Sequence, residues 1–218
     1  MSGKYMAYVG SYSYTGKAKG ITVFDVDVEN GMFKERCEIE VDNLSYVIAS
    51  SDGKTLYSIA DEGVVSFRIL PNGSLARLNS APIRGMRGCH LCTDEEDKYV
   101  FVSGYHDGKT TVLSLNPDGS VGKIVDGRLG SLMDGVFHKG LGSVAERNFR
   151  PHVTCTRRMP DNRFVLSVDN GIDQVKIYRF NDKEQRLVQV DAIRCELESA
   201  PRHFRYSKDG KFIYLMYE

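Results

Sequence analysis

The chain has 218 residues, 41% of them hydrophobic, with 29 basic and 29 acidic side chains and a formal net charge of zero. That balance offers no basic field to a nucleic acid and no charged face to a membrane surface, and no run approaches the roughly 18 apolar residues of a membrane span. The opening MSGKYMAYVG lacks the apolar core of a signal peptide, and five cysteines without paired spacing do not make a disulfide framework, so a cytoplasmic, reducing location is expected.

In chain order, KYMAYVG and GITVFDVDV read as two neighbouring strands near the N-terminus. A fuller unit follows, with strands A to D expected at 44–49, 55–61, 64–70 and 75–81, separated by turn residues. The same grammar of polar turn, basic residue, apolar strand, short break and alternating strand returns in TDEEDKYVFVSGYHDGKTTVLSL, in TRRMPDNRFVLSVDNGIDQVKIYRF and in the closing SKDGKFIYLMYE. Its basic residues Lys54, Lys98, Arg163 and Lys211 lie 44, 65 and 48 residues apart. This is a blade-like period, stretched once by the Gly-rich insert at 126–148. Short β-branched and aromatic runs broken every 8 to 12 residues or so disfavour helix. The expected fold is therefore all-β, a β-propeller of about four and a half four-stranded blades. Its first unit lacks strand A and its last ends after strand B, so residues 1–218 read as a single propeller domain, incomplete at the C-terminus.

Alignment of the turns places Tyr46, Cys89, His152 and His203 at one register position, at the start of the innermost strand A. Strand B runs antiparallel to A, so its end lies beside that start. Asp61, Tyr105, Asp169, Asn170 and Glu218 occupy or adjoin the end of B. Arg202, His203, Glu218, His152 and Asp169 are thus expected around one mouth of the channel. Cys89-His90-Leu91-Cys92 invites a metal or redox reading, but no further ligands stand at suitable spacing, and structural, packed cysteines are expected instead.

At these residues the sequence resembles a known family. YVGSYSYTGKAKGI, HKGLGSVAERNFRPHV, SVDNGIDQVKIY and APRHFRYSKDGKFIYLMYE are similar, in order, to segments of the seven-bladed-propeller lactonases, which include bacterial 6-phosphogluconolactonases and the fungal carboxymuconate-lactonizing enzyme. The resemblance implies a seven-bladed ring and a site at one channel mouth built from His152, Arg202 and Glu218. It departs from the family at Thr154, where a second histidine is common, and at Asp169-Asn170-Gly171, where the family has Asp-Leu-Gly.

The residue types suit that chemistry. Lactone hydrolysis needs a base to activate water, a donor for the oxyanion and an acid for the leaving alkoxide. His152 or Glu218 could serve as base, Arg202 could hold the oxyanion or an anionic group, and Arg147, Arg150 and His138 in the insert could take the substrate's anionic tail, with Asp169 and His203 as further contacts. The expected activity is hydrolysis of a small anionic lactone, 6-phospho-D-glucono-1,5-lactone above all, without a cofactor and with the complete ring a monomer. Muconate-type cycloisomerisation and a non-catalytic binding propeller are the alternatives.

Overall fold

The computed structural model describes residues 5–125, 135–142 and 150–218. These residues contain no helix long and apolar enough to cross a membrane; they form antiparallel sheets joined in sequence order. The first blade has three strands, β1 (Tyr5–Gly10), β2 (Gly20–Asp27) and β3 (Met32–Glu40). The second has four, β4 (Tyr46–Ala49), β5 (Thr55–Ala60), β6 (Gly63–Ile69) and β7 (Leu75–Ala81), within two residues of the expected bounds. The third comprises β8 (His90–Thr93), β9 (Tyr99–Gly104), β10 (Lys109–Leu115) and β11 (Val121–Ile124). In addition β12 (Val136–Phe137) pairs with Lys109 and Thr110, alongside β10 where β11 has stopped. The outer strand of this blade is therefore split, and the insert that stretches the repeat enters at the split. The fourth blade contains β13 (Val153–Arg158), β14 (Val165–Asp169), β15 (Gln174–Asn181) and β16 (Arg186–Arg194), and the fifth has β17 (Pro201–Tyr206) and β18 (Ile213–Tyr217).

The turns that make the repeat legible are built by side chains. Before β5 the Ser50 hydroxyl accepts the Thr55 N–H at 3.0 Å. Asp94 Oδ1 accepts that of Tyr99 at 2.8 Å, and the Ser207 hydroxyl that of Phe212 at 2.9 Å. A short oxygen-bearing side chain thus fixes where strand B begins in three units, the ordinary reason for Ser and Asp at turns.

The core lies between blades. Ile21 and Val23 pack with Leu56, Val65 and Phe67; Ile59 and Val64 pack with Leu91, Val100 and Val102; Phe101 and Val112 pack with Val165, Tyr178 and Phe180; Cys155, Leu166 and Val168 pack with Phe204. Blades three and four also share a fully buried set of hydroxyls. Thr156 Oγ1 lies 3.0 Å from Ser103 Oγ, 3.3 Å from Thr110 Oγ1 and 2.9 Å from Ser167 Oγ, and Thr110 Oγ1 lies 3.0 Å from Ser167 Oγ. Removing one member leaves its partners buried and short of a bond, which costs about 1–3 kcal/mol. Thr156→Val, of matched shape, is therefore expected to destabilise the protein by that amount, read as a lower urea midpoint at unchanged slope. A variant as stable as the parent would mean that the hydroxyls contribute nothing net.

Candidate functional site at one channel mouth

Two β-bulges shape the site. The register of β13 on β14 shifts between Val153 and Cys155, and that of β17 on β18 shifts between Pro201 and His203. Each bulge leaves one residue out of the ladder, Thr154 and Arg202. Bulges re-aim side chains in this way, and here they stack across the blade boundary, with the Thr154 hydroxyl donating to the Arg202 carbonyl at 2.7 Å. Arg202 turns outward and forms an ion pair with Glu218, the residue that follows β18. Both side chains are partly open to solvent, and the Glu218 N–H is itself held by the Ala200 carbonyl at 3.1 Å.

The strand pairing corrects the expected register. Asn170 donates its N–H to the His152 carbonyl as Glu218 does to that of Ala200, so His152 is equivalent to Ala200 and not to His203. The side chains that share a level are Tyr46, His90, Cys155 and His203, paired to Ile59, Ser103, Val168 and Met216. The Tyr46 ring lies 4.8 Å from that of His90, tilted at 51°, and His90 lies 5.7 Å from His203, from the inner strands of the second, third and fifth blades. His90, weighed in the sequence only as part of Cys89-His90-Leu91-Cys92, takes the place given there to Cys89.

His152 is buried and held from three sides. Its ring stacks on Tyr105 at 4.3 Å and 17°, its N–H donates to Asp169 Oδ1 at 2.8 Å, and its Nδ1 lies 2.7 Å from the Tyr105 carbonyl oxygen. A carbonyl only accepts, so Nδ1 carries a hydrogen and the neutral ring keeps its lone pair on Nε2. Among the described residues no hydrogen bond joins His152 to Arg202 or Glu218, whereas Arg202 and Glu218 are brought together.

Asp169 is fully buried and saturated. Oδ1 also accepts the Gly171 N–H at 3.0 Å, and Oδ2 lies 2.6 Å from His138 Nδ1, whose side chain is equally buried. Three donors converging on one carboxylate make Asp169 the clamp that sets the backbone at His152. His138 closes the clamp from the insert, so its ring nitrogen is committed to the protein rather than turned to solvent. Arg150 is exposed at the end of the insert, and Arg147 lies outside the described residues.

Gly171 allows this approach. A Cβ there would overlap the Arg150 carbonyl and come within 2.8 Å of His152 Cδ2. Gly171→Ala is accordingly expected to cost about 1–3 kcal/mol by overpacking and to displace the His152 ring. Thermal unfolding and quenching of the His152–Tyr105 ring contact in the NMR spectrum would both report it, and an unperturbed spectrum would rule it out.

The thiols are packing groups. Burial pushes Cys89 up to about 12 and Cys92 up to about 11, and raises Cys155 as well. None is ionised at neutral pH, so none is poised as a nucleophile.

Comparison with known proteins agrees with the fold. Residues 6–218 match the family model described as Lactonase, 7-bladed beta-propeller. The chain is 31% identical to the 6-phosphogluconolactonase of Bacillus subtilis (strain 168) over 221 residues, which cover 99% of this chain and 60% of that protein. Among solved structures, a candidate 6-phosphogluconolactonase of Bacteroides fragilis superposes with a TM-score of 0.89 at 31% identity, over 100% of this chain and 62% of that one. The periplasmic gluconolactonase of Pseudomonas aeruginosa superposes with a TM-score of 0.87 at 26% identity, over 98% and 61%. The 218 residues thus span about 60% of the length of these relatives. By its family match and its sheet topology, the chain belongs to the seven-bladed β-propeller lactonases.

Proposed function

We propose that the complete protein hydrolyses a lactone, with 6-phospho-D-glucono-1,5-lactone as substrate and 6-phosphogluconate as product, in the pentose phosphate pathway. The observation that carries this reading is the contact of His152 Nδ1 with the Tyr105 carbonyl, which leaves Nε2 as the acceptor, in a blade whose bulge at Thr154 is tied to that of the Arg202–Glu218 pair. Water is deprotonated by Nε2 as its oxygen attacks the lactone carbonyl. The oxyanion is held by Arg202, always charged and oriented by Glu218. Collapse expels the ring oxygen, which takes back the proton from the imidazolium, so no serine or cysteine nucleophile takes part. The 218 residues form one propeller domain whose ring is closed by further blades, and the complete protein acts as a monomer, with no nucleic-acid or membrane partner. Five unpaired cysteines support a cytoplasmic, reducing setting.

The test is base uptake in a pH-stat by a chain of the relatives' length, given 6-phospho-D-glucono-1,5-lactone, glucono-1,5-lactone and muconolactones in parallel, with products identified by mass. Release of 6-phosphogluconate supports the reading. Isomerisation of a muconate without net hydrolysis would replace it with cycloisomerase chemistry, and turnover of none would leave a binding propeller.

A further inference from the structure

Below the mouth, the channel carries a second group of polar side chains that the hydrolytic reading does not use. Arg157 and Arg205 occupy equivalent positions on β13 and β17, paired to Leu166 and Tyr214. Each lies two residues beyond Cys155 and His203, about 7 Å further along the strand at the usual rise. With Tyr46 and His203, and with Tyr214 and Met216 of the exposed β18 flank, they line an open cavity of about 390 Å³. Neither guanidinium has a carboxylate partner among the described residues. Arg157 donates to His90 Nε2 at 3.2 Å and to Cys92 Sγ at 3.5 Å.

Three metal-type donors sit beside them. The ligand atoms of His90, Cys155 and His203 lie within 4.8 Å of one another, and His90 Nε2 is 3.6 Å from Cys155 Sγ, a spacing that tetrahedral zinc could bridge. The place of a cation there is already taken. Arg157 occupies the lone pair of His90, and the thiol of Cys155 is held protonated by burial. Burial and then the neighbouring arginines hold His90 and His203 below the ordinary histidine range, so both rings are neutral at pH 7 and the positive charge belongs to the arginines alone. Two guanidiniums without a carboxylate partner, lining one cavity, are complementary to an oxyanion.

We propose that Arg157 and Arg205 form an oxyanion subsite inside the channel that takes the phosphate or carboxylate at the far end of a substrate whose lactone ring sits at Arg202 and Glu218. The two-ended arrangement rests on the hydrolytic reading above. His203 joins the two levels, since its ring lies in the field of Arg202 and Glu218 as well as of Arg157 and Arg205. It moves the anionic tail away from the insert, where His138 is committed to Asp169.

The test is calorimetric titration of the full-length protein with 6-phosphogluconate, with D-glucarate as the carboxylate arm and D-gluconate as the compound without an anionic tail. Tighter binding than gluconate by at least tenfold is expected for 6-phosphogluconate or for glucarate, and the difference between the two names the tail. Arg157→Gln and Arg205→Gln should each reduce that advantage at least fivefold. Arg205 is exposed and makes no hydrogen bond to a described residue, so its variant reports on the subsite even if Arg157→Gln unfolds. An advantage unchanged in Arg205→Gln overturns the proposal, as does tight zinc binding lost in Cys155→Ser, which would make the cluster a cation site. Because titration needs no turnover, a protein without lactonase activity that still shows the tail preference refutes the hydrolytic reading and leaves the subsite standing.

Discussion

In the complete protein, His152→Asn is expected to lower kcat for lactone hydrolysis by about 10²–10⁴-fold, the usual worth of a positioned general base. Asparagine is the informative replacement. Its amide nitrogen can still donate to the Tyr105 carbonyl that Nδ1 meets at 2.7 Å, while nothing remains to accept a proton where Nε2 stood. The backbone contacts to Asp169 and Asn170 are untouched, so folding is preserved and the loss falls on turnover rather than on KM. Steady-state kinetics of the folded variant decide the matter. Parent-like kcat would transfer the base role to Glu218 and leave His152 a structural residue.

The second large effect concerns association. At the flank of the fifth blade Phe212, Tyr214 and Met216 are each more than half exposed, and the first blade leaves Tyr5, Met32 and Phe33 in the same state. Every internal boundary buries such residues against a neighbouring blade. At roughly 1.5–3 kcal/mol for each large apolar side chain covered, a partner on the β18 flank gains several kcal/mol, and the free edge of β18 can extend its ladder into another chain. The 218 residues expressed alone are therefore expected to run as oligomers or aggregates with little hydrolytic activity, and a chain of the relatives' length as an active monomer. Size-exclusion chromatography with light scattering beside the lactone assay tests this, and an active monomer of the short chain would refute it.

The sequence revealed blade order through local chemistry. Ser50, Asp94 and Ser207 place the turns, and the turns place the strands, because a hydrogen bond across five residues depends on nothing distant. The register expected at the inner strands holds only in part. Tyr46 and His203 were aligned correctly, whereas His152 was set three residues off. The turns do carry the register, since Tyr46, His90, Cys155 and His203 each stand eight residues before Lys54, Lys98, Arg163 and Lys211; the shifts at Val153/Cys155 and Pro201/His203 fall alike in both blades and displace neither against the other. The pairing of Arg202 with Glu218 could be anticipated because both lie on one hairpin. That of His138 with Asp169 could not, since an insert brings them together across 31 positions. Arg157 and Arg205 share a signal in the sequence, since each stands six residues before the basic residue of the following turn, Arg163 and Lys211.

The hydroxyls shared by Ser103, Thr110, Thr156 and Ser167 have a consequence for how such a ring assembles. Units built on one grammar are nearly interchangeable as greasy wedges, and a folding chain can seat any apolar flank against any other. Only the third and fourth blades bring both halves of this polar lock, so a wrong neighbour would entomb bare hydroxyls. Misordered stacking is penalised at that seam, while the other described boundaries, fastened chiefly by apolar contact, discriminate less. Swapping blades within this scaffold should accordingly be tolerated elsewhere before it is tolerated there.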